Sequence, residues 1–172
     1  MDFFSLLAEC AITLAGFSAI YAVLQGSTGP RGAFRSIGTL GAAALAFFTS
    51  IFPLIVNLLE ISEAVLWSIS SALAGLCTAL IFTVTVRMSG RLTTSGFPPQ
   101  GGRSLALSFL LFAISAILFA SNIFYWPDVI RRFIYALGVL LLMIVPVSAM
   151  ATSFVISLDE SLKNGGPEGS GN

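Results

Sequence analysis

Five apolar stretches of about twenty residues or more dominate this 172-residue chain: 3–25, 36–59, 64–86, 104–126 and 133–158. A helix needs about 20 apolar residues to cross the hydrocarbon core of a bilayer. In lipid every backbone polar group must be satisfied within the chain, so runs of this length fold as helices. The predicted fold is therefore all-α: a polytopic membrane protein built as a bundle of five transmembrane helices.

Composition agrees. The chain is 56% hydrophobic and 9% charged, with eight basic and eight acidic residues, and its mean hydropathy is +0.97. A soluble domain carries about a quarter charged residues, so these sixteen could not cover a water-facing surface. The lipid bilayer is the expected solvent. Zero net charge without a basic face argues against nucleic acid as a partner.

The connections are short. "EISE" and "PDVIRR" leave room only for tight hairpins, whereas "RMSGRLTTSGFPPQGGR" carries four Gly and two Pro and reads as a flexible connector. The segment 159–172 reads as a flexible cytoplasmic tail. The start, "MDFFSLLAEC", lacks the basic region of a cleavable signal and is expected to remain as the first span. Arg31 and Arg35 follow the first span, and Arg87, Arg91 and Arg103 flank the third connection. The positive-inside rule places both connections in the cytoplasm, with the amino terminus outside and the tail inside. Arg131 and Arg132 then fall on the outer side, against the rule, and call for a local reason.

Within the spans, polar and small residues form stripes. On the first, Ser5, Glu9, Thr13, Gly16 and Ile20 share one side, flanked by alanines. Phe3, Leu6, Leu7, Cys10, Leu14, Phe17, Tyr21 and Leu24 share the other. Small residues favour close helix packing in membranes, so the Glu9 side is expected to face a helix interface and the bulky side to face lipid. The second span aligns Thr39, Ala42, Ala46, Ser50, Pro53 and Asn57. Pro53 removes a backbone donor, which frees the Thr49 carbonyl and predicts a kink. The fourth span aligns Ser104, Ser108, Ser115 and Asn122, and the fifth carries Pro146 ahead of Ser148, Thr152 and Ser153.

An ionised side chain at membrane depth is costly unless paired or wet, and marks a candidate site. Glu9, Asn57 and Asn122 fall at one level, with Arg131 and Arg132 close to it. The candidate polar cluster is Glu9, Thr13, Asn57, Asn122, Arg131 and Arg132, with Glu9 expected opposite one of the two arginines.

The residues for common chemistry are missing. Histidine is absent, which removes the usual metal ligand and general base. Cys10 and Cys77 lie within apolar runs and are expected to be free thiols rather than a zinc site. No phosphate-binding Gly-rich loop occurs. "GFSAI" lacks the second glycine of a nucleophile elbow, and the single lysine, Lys163, lies in the tail. Neither enzymatic activity nor a cofactor or bound metal is expected.

"LAECAITLAGFSAIYAVLQG", the basic first connection and "NLLEISEAVLWSISSAL" together resemble a loose group of small bacterial integral membrane proteins of unassigned function. The resemblance covers about the first 80 residues and implies a bacterial inner-membrane location without an activity. "LAGFSAIYAVLQ" is also similar to the pore-helix segment of Orai-type calcium channels. Gln25 stands near the place of their selectivity glutamate, but it is not acidic, the orientation is reversed and a fifth span is present. The expected function is a non-enzymatic helical bundle that assembles with itself, as a homo-oligomer, or with a membrane-protein partner. The alternative is a small channel or transporter using an outer-leaflet polar site around Glu9.

Overall fold

A computed structural model describes residues 2–25, 30–95, 102–124 and 127–164. They form five α-helices, α1 (Asp2–Gln25), α2 (Pro30–Asn57), α3 (Glu63–Thr94), α4 (Gly102–Ser121) and α5 (Asp128–Asn164), and no strand is present among them. Four helices contain segments long and apolar enough to cross a membrane, and α4 contributes a shorter apolar stretch, Leu105–Ser121. The chain is an all-α, multi-pass membrane protein.

The helices start and stop at other places than the apolar runs. α2 begins at Pro30, a residue suited to a helix's first turn because its missing N–H has no intrahelical partner there. Arg35 thus lies on the helix rather than in a loop. α3 continues past its apolar window to Thr94, carrying Arg87 and Arg91. α5 starts at Asp128, so Arg131 and Arg132 occupy its first turns, and it runs on to Asn164. Residues 159–164, expected in the tail, are helical, and 165–172 lie outside the described residues. α4 stops at Ser121 instead of near 126, because the chain turns over through Ile123 N–H to Ala120 O and Phe124 N–H to Ser121 O.

α5 touches all four other helices and α4 packs on α3 and α5, while α2 packs on α1, α3 and α5. Its buried face carries Thr39, Ala42, Ala46, Ser50 and Pro53, the stripe expected from the sequence. Ala42, Ala43 and Ala46 have no exposed surface, which lets neighbouring backbones approach closely. Pro53 withholds the donor that would have served Thr49 O. That carbonyl instead accepts a hydrogen bond of 2.6 Å from the Tyr135 hydroxyl on α5.

α1 overturns its expected orientation. The buried positions are Phe4, Leu7, Ala11 and Ser18, with Leu14 and Tyr21 half-buried. Spacings of three and four residues alternate along this series, the heptad geometry of knobs-into-holes packing. Phe4 enters an aromatic cluster against Trp67 and Tyr135, at ring separations of 5.3 and 5.9 Å. Of the side expected to meet lipid, Leu7, Leu14 and Tyr21 turn inward while Phe3, Leu6, Cys10 and Phe17 stay exposed, so the inward face lies at one edge of the bulky side and includes Phe4, Ala11 and Ser18. Glu9, Thr13, Gly16 and Ile20 point away from the bundle. Cys10 is an exposed free thiol and Cys77 a half-buried one, on different helices.

The cluster is closed by Phe119 of α4, fully buried and 5.2 Å from the Tyr135 ring. Gly138 makes room for it, since a Cβ there would stand 2.8 Å from the Phe119 ring.

Candidate functional site

The six candidate residues do not form one cluster. Asn122 and Arg131 come together against α3, Arg132 lies beside them at the surface, and Glu9, Thr13 and Asn57 are exposed elsewhere. Asn57, the last residue of α2, offers its carbonyl to the Glu60 N–H at the start of the turn into α3. Glu60 holds φ +52°, a left-handed conformation that lets the chain reverse there. Thr13 returns its hydroxyl to the Glu9 carbonyl at 2.9 Å, as threonines in membrane helices commonly do.

Arg131 is 2% exposed. Its Nη1 donates to Ala64 O at 2.6 Å and to Ser68 Oγ at 3.2 Å, and its Nη2 donates to Phe124 O at 3.1 Å. Ala64 belongs to the first turn of α3, and Phe124 to the turn that follows α4. One guanidinium from the start of α5 therefore ties three helices at one level. The Phe124 carbonyl lies beyond the end of α4, where no intrahelical donor serves it and a cation is favoured. The planar, multi-donor guanidinium serves it and the Ala64 carbonyl at once, which a lysine ammonium does with less geometric fit.

One turn deeper, Asn122 is fully buried and donates from Nδ2 to Ser71 Oγ at 2.8 Å. Its Oδ1 has no hydrogen-bond partner, and the same is true of the buried hydroxyls of Ser70 and Ser115 and of the Trp67 indole nitrogen. These groups form a polar seam on α3 and α4 that interleaves with the aromatic cluster, since Trp67 belongs to both.

Arg132 points outward. It forms an ion pair with Glu63, both side chains about half exposed, and its guanidinium lies 6.0 Å from the Trp67 ring centroid. The local reason for two basic residues at this end is thus Ala64, Ser68, Phe124 and Glu63, and not Glu9. The expected pairing of Glu9 with an arginine is not formed, because the helical phase of α1 turns Glu9 away from α5. Sequence reasoning missed Glu63, Ser68 and Ser71 as partners. Ser68 and Ser71 are three residues apart on the third span and so share a helix face, and Glu63 stands four residues ahead of Trp67 in the link before it.

Among the described residues, no group of three or more His, Cys, Asp or Glu side chains comes together. The seam offers hydrogen-bond donors, two hydroxyl groups without partners and one fixed cation, a set suited to holding helices in register. Compared with known proteins, the chain matches no family model, no curated protein and no solved structure.

Proposed function

We propose that this chain is a non-enzymatic helical membrane protein that assembles with itself or with a membrane partner, using the outer face of α1. Glu9 carries the reading. It is exposed, and it sits six residues into the apolar window that starts at Phe3, about 9 Å along the helix. A glutamate side chain is too short to return to the membrane surface from that depth, and a carboxylate left in hydrocarbon costs several kcal/mol. Thr13, Gly16 and Ile20 extend the same stripe, almost opposite the buried heptad positions. The space beside Gly16 is open, with no atom within 4 Å of where a Cβ would stand. A polar group flanked by a small residue on an uncovered face suits contact with another helix.

In this reading the polar seam is structural. The amino terminus lies outside and the carboxyl end in the cytoplasm, which places the arginines of α2 and α3 inside. The inner membrane of a bacterium is the location that the sequence resemblance supports.

Cysteine cross-linking tests the contact. In a Cys10→Ser background, Thr13→Cys, Gly16→Cys and Ile20→Cys should form intermolecular disulfides or cross-link to a partner within the bilayer. Ile12→Cys, which lies about a quarter-turn away, should not. Equal cross-linking at all four positions would mean random collision and would remove the proposal.

A further inference from the structure

At the opposite end of the bundle, α2 and α3 leave an apolar groove of about 220 Å³. Phe34, Ile37, Gly38 and Gly41 form one wall, and the α3 side runs from Leu80 to Met88. It is about 10–12 Å long, two helical turns on either side. Gly38 and Gly41 give the groove its depth, since a Cβ at either would meet nothing within 4 Å. Thr85, its one hydroxyl-bearing lining residue, keeps its proton on the Ile81 carbonyl at 2.8 Å, so the walls present no polar demand.

The two ends of the groove differ. One reaches toward mid-bilayer at Gly41 and Leu80. The other ends at Phe34 and Met88, where Arg87 and Arg91 stand exposed on α3 and Arg35 stands beside Phe34. Arg91 follows Leu80, Val84 and Met88 on the groove's own face of α3. Between Phe34 and the end of α2, and between Ala64 and Thr94 on α3, the sequence contains no acidic residue.

We infer that this groove seats one acyl chain of an anionic phospholipid, with the lipid phosphate held by Arg87 and Arg91. Charge decides the occupant. A second copy docking here about a two-fold axis would bring the same patch to itself and set arginines against arginines. A phosphate at the bilayer surface meets that cationic cluster with attraction, and arginine matches its oxygens bidentately. The apolar walls take the chain, and the arginines select the headgroup.

Native mass spectrometry of the full chain, purified in detergent with added lipid, tests this. Phosphatidylglycerol and phosphatidylcholine with identical acyl chains are compared at equal concentration. The expected result is one retained phosphatidylglycerol, with preference over phosphatidylcholine on the order of tenfold. Arg87→Gln with Arg91→Gln should abolish the preference. Gly41→Leu, and independently Val84→Trp from the opposite wall, should abolish retention while helix content and monodispersity stay unchanged. Equal retention of both lipids, or retention by both filled variants, would overturn the proposal. So would displacement of the lipid by millimolar inorganic phosphate alone, since that would reduce the site to a surface ion pair. Self-cross-linking of a Gly41→Cys variant in lipid would show a second copy in the groove and overturn it as well.

Discussion

Arg131 and Glu9 pose the same physical problem and meet it in opposite ways. Both are ionisable side chains on helices of the bundle. Arg131 is buried and donates to acceptors from α3 and from the turn after α4. Glu9 stands on the exposed face of α1, and only its backbone carbonyl receives a hydrogen bond, from Thr13. One polar group is satisfied inside the fold, so its loss should cost folding stability. The other faces outward, so its loss should cost whatever covers that face. The contrast teaches that polarity at membrane depth does not by itself locate a bundle's interior.

The largest effect should come from the satisfied group. Arg131→Ala strands Phe124 O and removes the tie between α5 and the first turn of α3. A loss of about 3 kcal/mol is expected in reversible unfolding in detergent, since hydrogen bonds from a charged donor contribute about 1.5–3 kcal/mol. Arg131→Lys should recover only part of it, because an ammonium cannot span both acceptors. Full recovery by lysine would mean that charge alone matters there, and the comparison with Glu9 would lose its geometric basis.

Next in size is Gly138. An alanine Cβ would press on the Phe119 ring at 2.8 Å, and Phe119, fully buried, has little room to move. Overpacking of this kind costs about 1–3 kcal/mol. Gly16→Ala, on the outward face of α1, meets open space and should leave monomer stability unchanged. Equal destabilisation by the two alanines would contradict the assignment of inner and outer faces.

The smallest effect concerns Tyr135. Tyr135→Phe removes its bond to Thr49 O and should cost about 0.6–1.7 kcal/mol, the range of hydrogen bonds between membrane helices. Pro53→Ala restores a backbone donor to Thr49 O, so the tyrosine substitution should cost less in that background. A double-mutant cycle reads the coupling, and strictly additive effects would mean that the two features are unrelated.

How much of this was legible in the sequence differs from helix to helix. Five helices followed from run length alone, four of them long and apolar enough to cross a membrane, and the buried stripe of α2 from Thr39 to Pro53 followed from helical phase. The orphaned Thr49 carbonyl was also legible, because proline's missing donor is a local fact. Its partner was not, since Tyr135 lies 86 residues away and only tertiary packing brings it there. α1 went wrong for a definite reason. Two patterns overlap on it: a small-residue stripe through Glu9 and Gly16, and a heptad of Phe4, Leu7, Ala11, Leu14 and Ser18. The small-residue stripe alone points to the first, whereas the aromatic pocket of Trp67 and Tyr135 rewards the second. The arginines at 131 and 132 were legible as an anomaly, but two of the groups that Arg131 reaches, Ala64 O and Phe124 O, are backbone carbonyls, which no residue type announces.

The central claim is that the outward face of α1 is a contact surface and Glu9 part of it. Counting subunits in lipid tests it most directly, by single-molecule photobleaching of labelled protein in nanodiscs extracted with native bilayer. Gly16→Leu is the decisive variant, because the space beside Gly16 is empty in the single chain and a leucine there should disturb only what docks against it. The account predicts that the wild type counts as an oligomer or co-purifies with a stoichiometric partner. Gly16→Leu should reduce it to single chains with an unchanged unfolding midpoint. A wild type that is monomeric and without a partner, or a Gly16→Leu variant with the same subunit count as the wild type, would contradict it.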